Sequence, residues 1–415
     1  MTDSDILVLE ATQVLTCPGG IGPRKGEAMS NVGLIDDGAV AIRAGRVEAV
    51  GTRLELRDLF PDAERVDLGG HTLAPGFVDS HTHAVFGCWR LDEYELRCAG
   101  LSYMEIARRG GGINASVLDL RARSEEELVK LARARLRRMV EHGTTTVEVK
   151  SGYGLSLEDE LKMLRVVRAL SSEDWIDLVP TFLGAHSIPP EYRDRRADYV
   201  ELVAGVMIPA VAEDRLAVFC DVFMEPGVFT PAETRRILEA AVDHGLVPRI
   251  HADEFESSGG AELAAEFAAA SADHLGAVTE EGMAALAGSN TVATLLPGTL
   301  SFLGKDGYPP ARALIERGVA VALATDFNPG SSPTVSLQIV MSLACSRLGM
   351  SPAESFVAAT ANGAAALRLS DMRGTLEPGA PADIAVFGVP DYRLVPYLYG
   401  GNHCVAVWKR GRRIH

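Results

Sequence analysis

GFVDSHTH, residues 76–83, is a short apolar run that ends abruptly in polar residues, and seven further stretches of the chain are built the same way. They are TTTVEVKSG (144–152), IDLVPTFLGAH (176–186), LAVFCDVFME (216–225), LVPRIHADE (246–254), SADHL (271–275), TVATLLPG (291–298) and VAVALATDFN (319–328). Runs of this length, apolar throughout and closed by Gly or polar residues, predict strands buried on both faces. Helical patterns lie between most of them. SEEELVKLARARLRRMVEHG (124–143) opens with Ser and Glu three apart and closes with Gly, so its ends read as a capping box and a glycine stop. LEDELKMLRVVRALSS (157–172), PAETRRILEAAVDHG (231–245) and GGAELAAEFAAA (259–270) follow the same logic. Eight strand–helix units in series predict an α/β fold, a parallel (β/α)8 barrel of the TIM type. The segment 84–123 is a long insertion in the first unit, placed to cover the barrel mouth.

A barrel takes about 250 residues, and the chain has 415. The surplus lies at the two ends. DILVLEATQVLT, GAVAIRAGRVEAVG and ERVDLGGHTLAPG near the start, and ADIAVFGVP and NHCVAVWKRGRRIH near the end, read as strands separated by turn residues. We therefore expect a small β-sandwich domain built from both termini, residues 1–72 and 370–415, around a barrel spanning 73–369.

Forty basic residues against fifty-six acidic give a net charge of −16. Such a field repels phosphate backbones and anionic membranes, which argues against nucleic-acid and membrane partners and leaves a small-molecule substrate. An anionic substrate then needs a local cation. The six cysteines form no CxxC pair and most lie far apart, which excludes a zinc ribbon or a disulfide framework. No apolar run approaches the ~20 residues of a membrane span. The acidic N-terminus lacks the basic and apolar regions of a signal peptide, so a cytoplasmic location is expected.

In a parallel barrel the working residues sit at the C-terminal ends of the strands. Five of the ten histidines, His81, His83, His186, His251 and His274, fall at predicted strand ends. His81 and His83 are two apart on one strand and so point to the same side. With His251 from the fifth strand and Asp326 from the eighth they form a His3Asp donor set suited to Zn2+ or Fe2+. A metal there lowers the pKa of a bound water toward ~7. The fourth strand ends in Met224-Glu225, without the Lys that bridges binuclear sites, and Lys150 ends the second; one ion is expected, with Glu225 the open point. Glu254, three residues past His251, is placed to move a proton, or else caps a helix. His274 is placed to hydrogen-bond the attacking water or a developing oxyanion, or else supports a ligand. Asp253 should face away from the mouth. Tyr153, between two glycines, is expected in a loop with its hydroxyl exposed. His142 and His244, each before a helix-ending glycine, suit a cation at the helix terminus.

PGFVDSHTH, HADE, SADH and ATDFNPGS together resemble the amidohydrolase superfamily. More narrowly, VFGCWR, EVKSGYGL, TFLGAHSIPPEY, DVFMEPGVF, ATLLPG, ATDFNPGSSP and NHCVAVWKRG are similar to the imidazolonepropionase family of histidine degradation, across nearly the whole chain. The resemblance implies hydrolytic opening of 4-imidazolone-5-propanoate to N-formimino-L-glutamate by a homodimeric metalloenzyme with the barrel and split β-domain. It also implies that His81, His83, His251 and Asp326 hold the ion, that Glu254 and His274 are catalytic, and that Arg90, Tyr153, His186, Asn328, Gly330 and Ser331 meet the substrate. Arg90 would clamp the propionate. The Cys88-Trp89 pair beside Arg90, and Met224, depart from the family pattern, and Trp89 is expected to narrow or reshape the pocket. Two rivals remain on sequence alone: a cyclic amidine deaminase, which would release ammonia, and a catalytically silent scaffold, which would be expected to have lost ligands.

Overall fold

The computed structural model describes residues 6–101, 105, 111–369 and 371–415. The N-terminal strands are β1 (Leu7–Leu15), β2 (Leu34–Asp36), β3 (Gly38–Arg43), β4 (Arg46–Thr52) and β5 (Glu64–Pro75). The barrel strands follow: β6 (Phe77–Asp79), β7 (Thr144–Lys150), β8 (Asp177–Ala185), β9 (Phe219–Met224), β10 (Val247–Ala252), β11 (Ser271–His274), β12 (Val292–Leu295) and β13 (Val321–Leu323). Near the C-terminus come β14 (Ile384–Phe387), β15 (Cys404–Lys409) and β16 (Arg412–Arg413). Strands β6 to β13 pair in sequence order, every pair parallel. All eight runs named above are strands, including the four-residue β11.

The barrel closes just beyond the ends of β6 and β13, through the segments that carry the proposed ligands. Asp326 N donates to the His81 carbonyl at 3.0 Å, and His83 N to the Phe327 carbonyl at 2.9 Å. The Asp79 carboxylate accepts from Thr325 N and Oγ1 at 3.0 and 2.6 Å. Closure and ligand placement are thus one set of contacts.

The capping box predicted at Ser124 is present, whereas the helix Gly260–Glu266 starts at Gly259 with no side-chain cap. In the helix Glu125–Glu141, Ser124 and Glu127 bond reciprocally to each other's backbone N–H. Thr230 and Glu233 do the same at the start of the helix Pro231–Asp243. His142 caps the C-terminus of the helix Glu125–Glu141, and burial pushes its imidazole below the ordinary value.

The two ends of the chain form one eight-stranded mixed sheet, ordered β16-β15-β14-β5-β1-β3-β4 with β2 on β1. The expected sandwich takes the form of a single curled sheet. It bends until the β3–β4 hairpin meets the segment before β14: Val47 N donates to the Ala380 carbonyl and Ala382 N to that of Gly45, both at 2.9 Å. Leu7, Leu9, Val40, Ile42, Leu73, Ile384 and Trp408 fill the fold. Lys409 Nζ, buried, reaches Asp383 at 2.6 Å and the Thr145 carbonyl at 3.2 Å, while Arg410 reaches Asp177 at 2.8 Å. Thr145 and Asp177 lie at the starts of β7 and β8, so this sheet docks away from the strand C-termini and leaves the mouth free.

Candidate metal centre and substrate cleft

Every residue assigned to the ion is buried at the mouth. His81 Nε2 and His83 Nε2 stand 3.6 and 3.5 Å from Asp326 Oδ1. These three form one group of donor atoms all within 4.8 Å of one another, and His81, His251 and His274 form a second. His81 belongs to both, which joins five side chains into one centre. His81 Nε2 and His274 Nε2 are buried with no hydrogen-bond partner. Buried polar atoms are normally satisfied, so converging imidazoles with orphaned nitrogens fit a divalent cation. Burial holds His81, His83 and His274 well below the usual histidine range, and they are neutral donors. Burial also raises the Asp326 carboxyl to about 6; a cation beside it would reverse that. The site backbone is itself unusual, with left-handed φ at Asp253 (49°), His274 (79°) and Asp326 (50°). Non-glycine residues rarely adopt this region, and such strain concentrates at functional sites.

A layer of charged residues beneath the donors sets their orientation. His81 Nδ1 lies 2.7 Å from Asp273 Oδ2, and His251 Nδ1 lies 3.1 Å from Asp221 Oδ2. The hydrogen bond at His81 fixes the tautomer that presents Nε2 to an ion; at His251 the carboxylate stands within ion-pair range of Nδ1. Although burial opposes ionisation, His251 and Lys150 hold Asp221 well below the usual carboxylate range. Arg249 and Lys150 lower the Asp273 carboxyl as well, against the same opposition from burial. Sequence reasoning does not single out these supports. Their signal is alternation inside apolar runs: Glu148 and Lys150, or Arg249 and His251, two apart, point into the barrel on strands otherwise made largely of apolar residues.

Glu225 is not part of the ion-binding groups among the described residues. Its carboxylate accepts from the backbone N–H of Glu254, Phe255 and Glu256 at 3.1, 3.2 and 2.7 Å. It thereby shapes the loop that carries Glu254. Asp253 faces away, as expected, and accepts from Ser258, Gly260 and Ala261 N–H at the start of the helix Gly260–Glu266. Glu254 Oε1 lies 3.6 Å from His274 Nδ1. Burial, with Asp326 and Glu225 nearby, raises the Glu254 carboxyl well above its ordinary value.

A cleft of about 510 Å³, counted to its open mouth, joins these groups to Arg90, Ile113, Tyr153, His186, Phe223, Phe255, Leu303, Asn328 and Ser331. The insertion in the first unit therefore lines the mouth, through Arg90 and Ile113; its residues 102–104 and 106–110 lie outside the described residues. Arg90 Nε and Nη1 are buried without a hydrogen-bond acceptor among the described residues, and the Glu93 carboxylate is 3.7 Å from Nη1. Gly330 lies against the guanidinium so closely that a Cβ there would fall 1.3 Å from Arg90 Nη2. Tyr153, expected with an exposed hydroxyl, is instead buried in the cleft wall, its ring 5.3 Å from that of His186. His186 Nδ1 bonds the Gly152 carbonyl at 2.8 Å, and burial lowers its pKa to about 3. The neutral ring thus keeps Nε2 as an acceptor. The Asn328 side chain is used within its own turn, donating to the Asp326 carbonyl at 2.6 Å and accepting from Gly330 and Ser331 N–H at 2.8 and 2.7 Å.

Trp89 does not narrow the cleft. Its ring packs on Phe86 and Phe327 and lines a separate cavity with Arg135, Pro333 and Val335. Met224 is buried and absent from the cleft wall. Cys88 is no activated thiol, because partial burial and Asp119 raise its pKa.

Residues 72–414 match the family model described as the amidohydrolase family. Among similar proteins, the imidazolonepropionase of Solibacter usitatus is 48% identical over 413 residues, covering 99% of each chain. That of Geobacillus kaustophilus is 48% identical over 412 residues, covering 98% of this chain and 97% of its own. In fold, the chain is similar to Escherichia coli guanine deaminase, with a TM-score of 0.71 at 16% identity over 99% of both chains. With full-length similarity of this order and the donors gathered at the strand ends, the chain belongs to the amidohydrolase family and, within it, to the imidazolonepropionases.

Proposed function

We propose that the protein hydrolyses the ring amide C–N bond of 4-imidazolone-5-propanoate to N-formimino-L-glutamate, a step of histidine degradation. The observation that carries this reading is the Arg90 guanidinium, which lies in the same cleft as the His/Asp centre, with Nε and Nη1 lacking a hydrogen-bond acceptor among the described residues and the Glu93 carboxylate no nearer Nη1 than 3.7 Å. A planar guanidinium presents a two-N–H edge that matches a carboxylate. It is the local cation that a −16 chain needs for an anionic substrate.

The reaction adds water across one bond. The ring carbonyl carbon gains the hydroxyl and ends as a carboxylate; the ring nitrogen gains the proton and stays in the formimino group. His81, His83, His251 and Asp326 would hold a divalent ion, which would supply Lewis acidity for the carbonyl and the attacking water. Arg90 receives the propionate and so fixes the ring's place in the cleft. His186 Nε2 accepts a ring N–H, and Tyr153 packs beside it. The turn 328–331 seats the Arg90 fork. We assign His274 to the reacting oxygen rather than to the ion; its Nε2 is buried without a partner and its Nδ1 lies 3.6 Å from Glu254 Oε1, the proposed proton carrier. Glu254, whose burial favours the protonated acid, delivers the proton to the departing nitrogen.

The donor set accepts either zinc or iron(II), and metal analysis of the purified protein distinguishes them. No helix among the described residues is long and apolar enough to cross a membrane. A cytoplasmic homodimer completes the proposal, checked by fractionation and sedimentation. The deciding experiment incubates metal-loaded protein with 4-imidazolone-5-propanoate. Formiminoglutamate without ammonia is expected. Ammonia release from a cyclic amidine, with no formiminoglutamate, would replace this reading with a deaminase.

A further inference from the structure

We propose that Lys150 is a positioning residue of the metal centre: its ammonium gathers three buried carboxylates, each of which holds a ligand-bearing segment. The proposal rests on the metal site described above. Lys150 Nζ lies 2.7 Å from Glu148 Oε1, 2.8 Å from Asp221 Oδ2 and 4.0 Å from Asp273 Oδ2. All four side chains are fully buried inside the barrel. Each carboxylate has a second task. Asp221 stands 3.1 Å from Nδ1 of His251. Asp273 stands 2.7 Å from Nδ1 of His81. Glu148 Oε2 accepts from Thr82 N at 3.0 Å, and the Glu148 carbonyl accepts from Thr82 Oγ1 at 2.6 Å. Thr82 is the residue between His81 and His83. One ammonium thus connects β7, β9 and β11 with the segment that follows β6.

Buried carboxylates this close repel strongly unless a cation lies between them. Arg249 is another buried cation beside them, and it is engaged with Asp273 and the carbonyls of Ser80 and Ala366. Without the Lys150 ammonium, Asp221 and Glu148 lose their shared partner and move apart. The imidazole of His251 and the His81–His83 segment then lose the contacts that aim them.

Electrostatics alone makes the opposite prediction, because deleting a buried cation should favour a bound dication. That opposition makes the test sharp. Apo protein is titrated with Co2+ alone, its affinity measured by competition with a chromophoric chelator and its d–d absorption recorded; the thermal midpoint of each apo form reports folding. Lys150→Met keeps the stem and removes the charge. It is expected to raise the Co2+ dissociation constant about 10–100-fold, the range for loss of a ligand-orienting partner, and to alter the d–d bands. Lys150→Met with Glu148→Gln removes one cation and one anion together, so the buried charge balance is kept and the fold is protected. The same loss of affinity is expected, since Asp221 still lacks its partner. Unchanged or tighter Co2+ binding with the wild-type spectrum, in either folded variant, overturns the proposal. None of these readouts involves substrate, so a failure of the hydrolysis proposal is seen separately.

Discussion

Replacing Arg90 by Met tests the substrate clamp most directly. The side chain is 7% exposed, and its Nε and Nη1 have no acceptor among the described residues. A carboxylate docked on one edge of the guanidinium, with Nη2 as one donor, would make two charge-assisted hydrogen bonds. Such bonds contribute about 1.5–3 kcal/mol each. Their loss is therefore about 3–6 kcal/mol, or roughly 10²–10⁴-fold in kcat/KM. The same geometry predicts a second, opposite effect. In the free protein Nε and Nη1 are buried without a hydrogen-bond acceptor among the described residues and Glu93 offers only a 3.7 Å ion pair, a costly state, so Arg90→Met should raise the thermal midpoint by roughly 1–2 °C. Loss of activity and gain of stability are expected together, with metal content unchanged. The assay follows formiminoglutamate from the propionate substrate and, in parallel, ring opening of its neutral propionamide analogue. Wild type should strongly prefer the carboxylate, and Arg90→Met should barely distinguish the two. An equal loss on both substrates, or a loss below about threefold, would show that Arg90 does not recognise the carboxylate.

Other perturbations follow from single contacts. Gly330→Ala places a methyl in the space of Arg90 Nη2 and must displace the fork; kcat/KM is expected to fall roughly 10–100-fold, and wild-type kinetics would contradict the packing. Glu225→Gln removes the charge that accepts three loop N–H groups. It should lower kcat about tenfold while leaving metal affinity unchanged, and weakened metal binding would instead make Glu225 part of the centre. Glu10 is buried among Arg53, Arg57 and Arg65, and its hydrogen bond to Arg57 leads the contacts that hold its carboxyl below the usual value. A depressed carboxyl stabilises the fold above its unfolded pKa and loses that contribution as pH falls through its folded one. Glu10→Gln should therefore lower the thermal midpoint by roughly 1–3 °C at pH 7, with the gap closing below about pH 4. A gap independent of pH would exclude the ionic origin.

Much of the site is legible in the sequence because its parts are local. His81-Thr82-His83 share a face through the period of a strand, and the capping boxes at Ser124 and Thr230 are written within four residues. The His/Asp donors stand out as polar ends of apolar runs for the same reason. Trp89 and Tyr153 depart from expectation because neighbours in sequence carry no information on direction. Trp89 turns onto Phe86 and Phe327, away from the cleft, and Tyr153 turns into the wall beside His186. Glu225, on sequence alone an open candidate for a ligand, holds a loop that lies about thirty residues on in the chain.

The amino-acid sequence by itself determined the order of strands and helices, the ends at which they cap, and which residue types stand at the barrel mouth. Hydrophobic period and capping chemistry act over a few residues, and a local code is readable locally. Only the tertiary structure decided which of those residues meet. His81 and Asp273 are 192 residues apart in sequence and 2.7 Å apart in the fold, and Lys150 binds carboxylates from two strands at once. Those contacts depend on barrel closure and strand register, which no single segment specifies. They decide what the donors can do, since an imidazole is a useful ligand only once its other nitrogen has been given a partner.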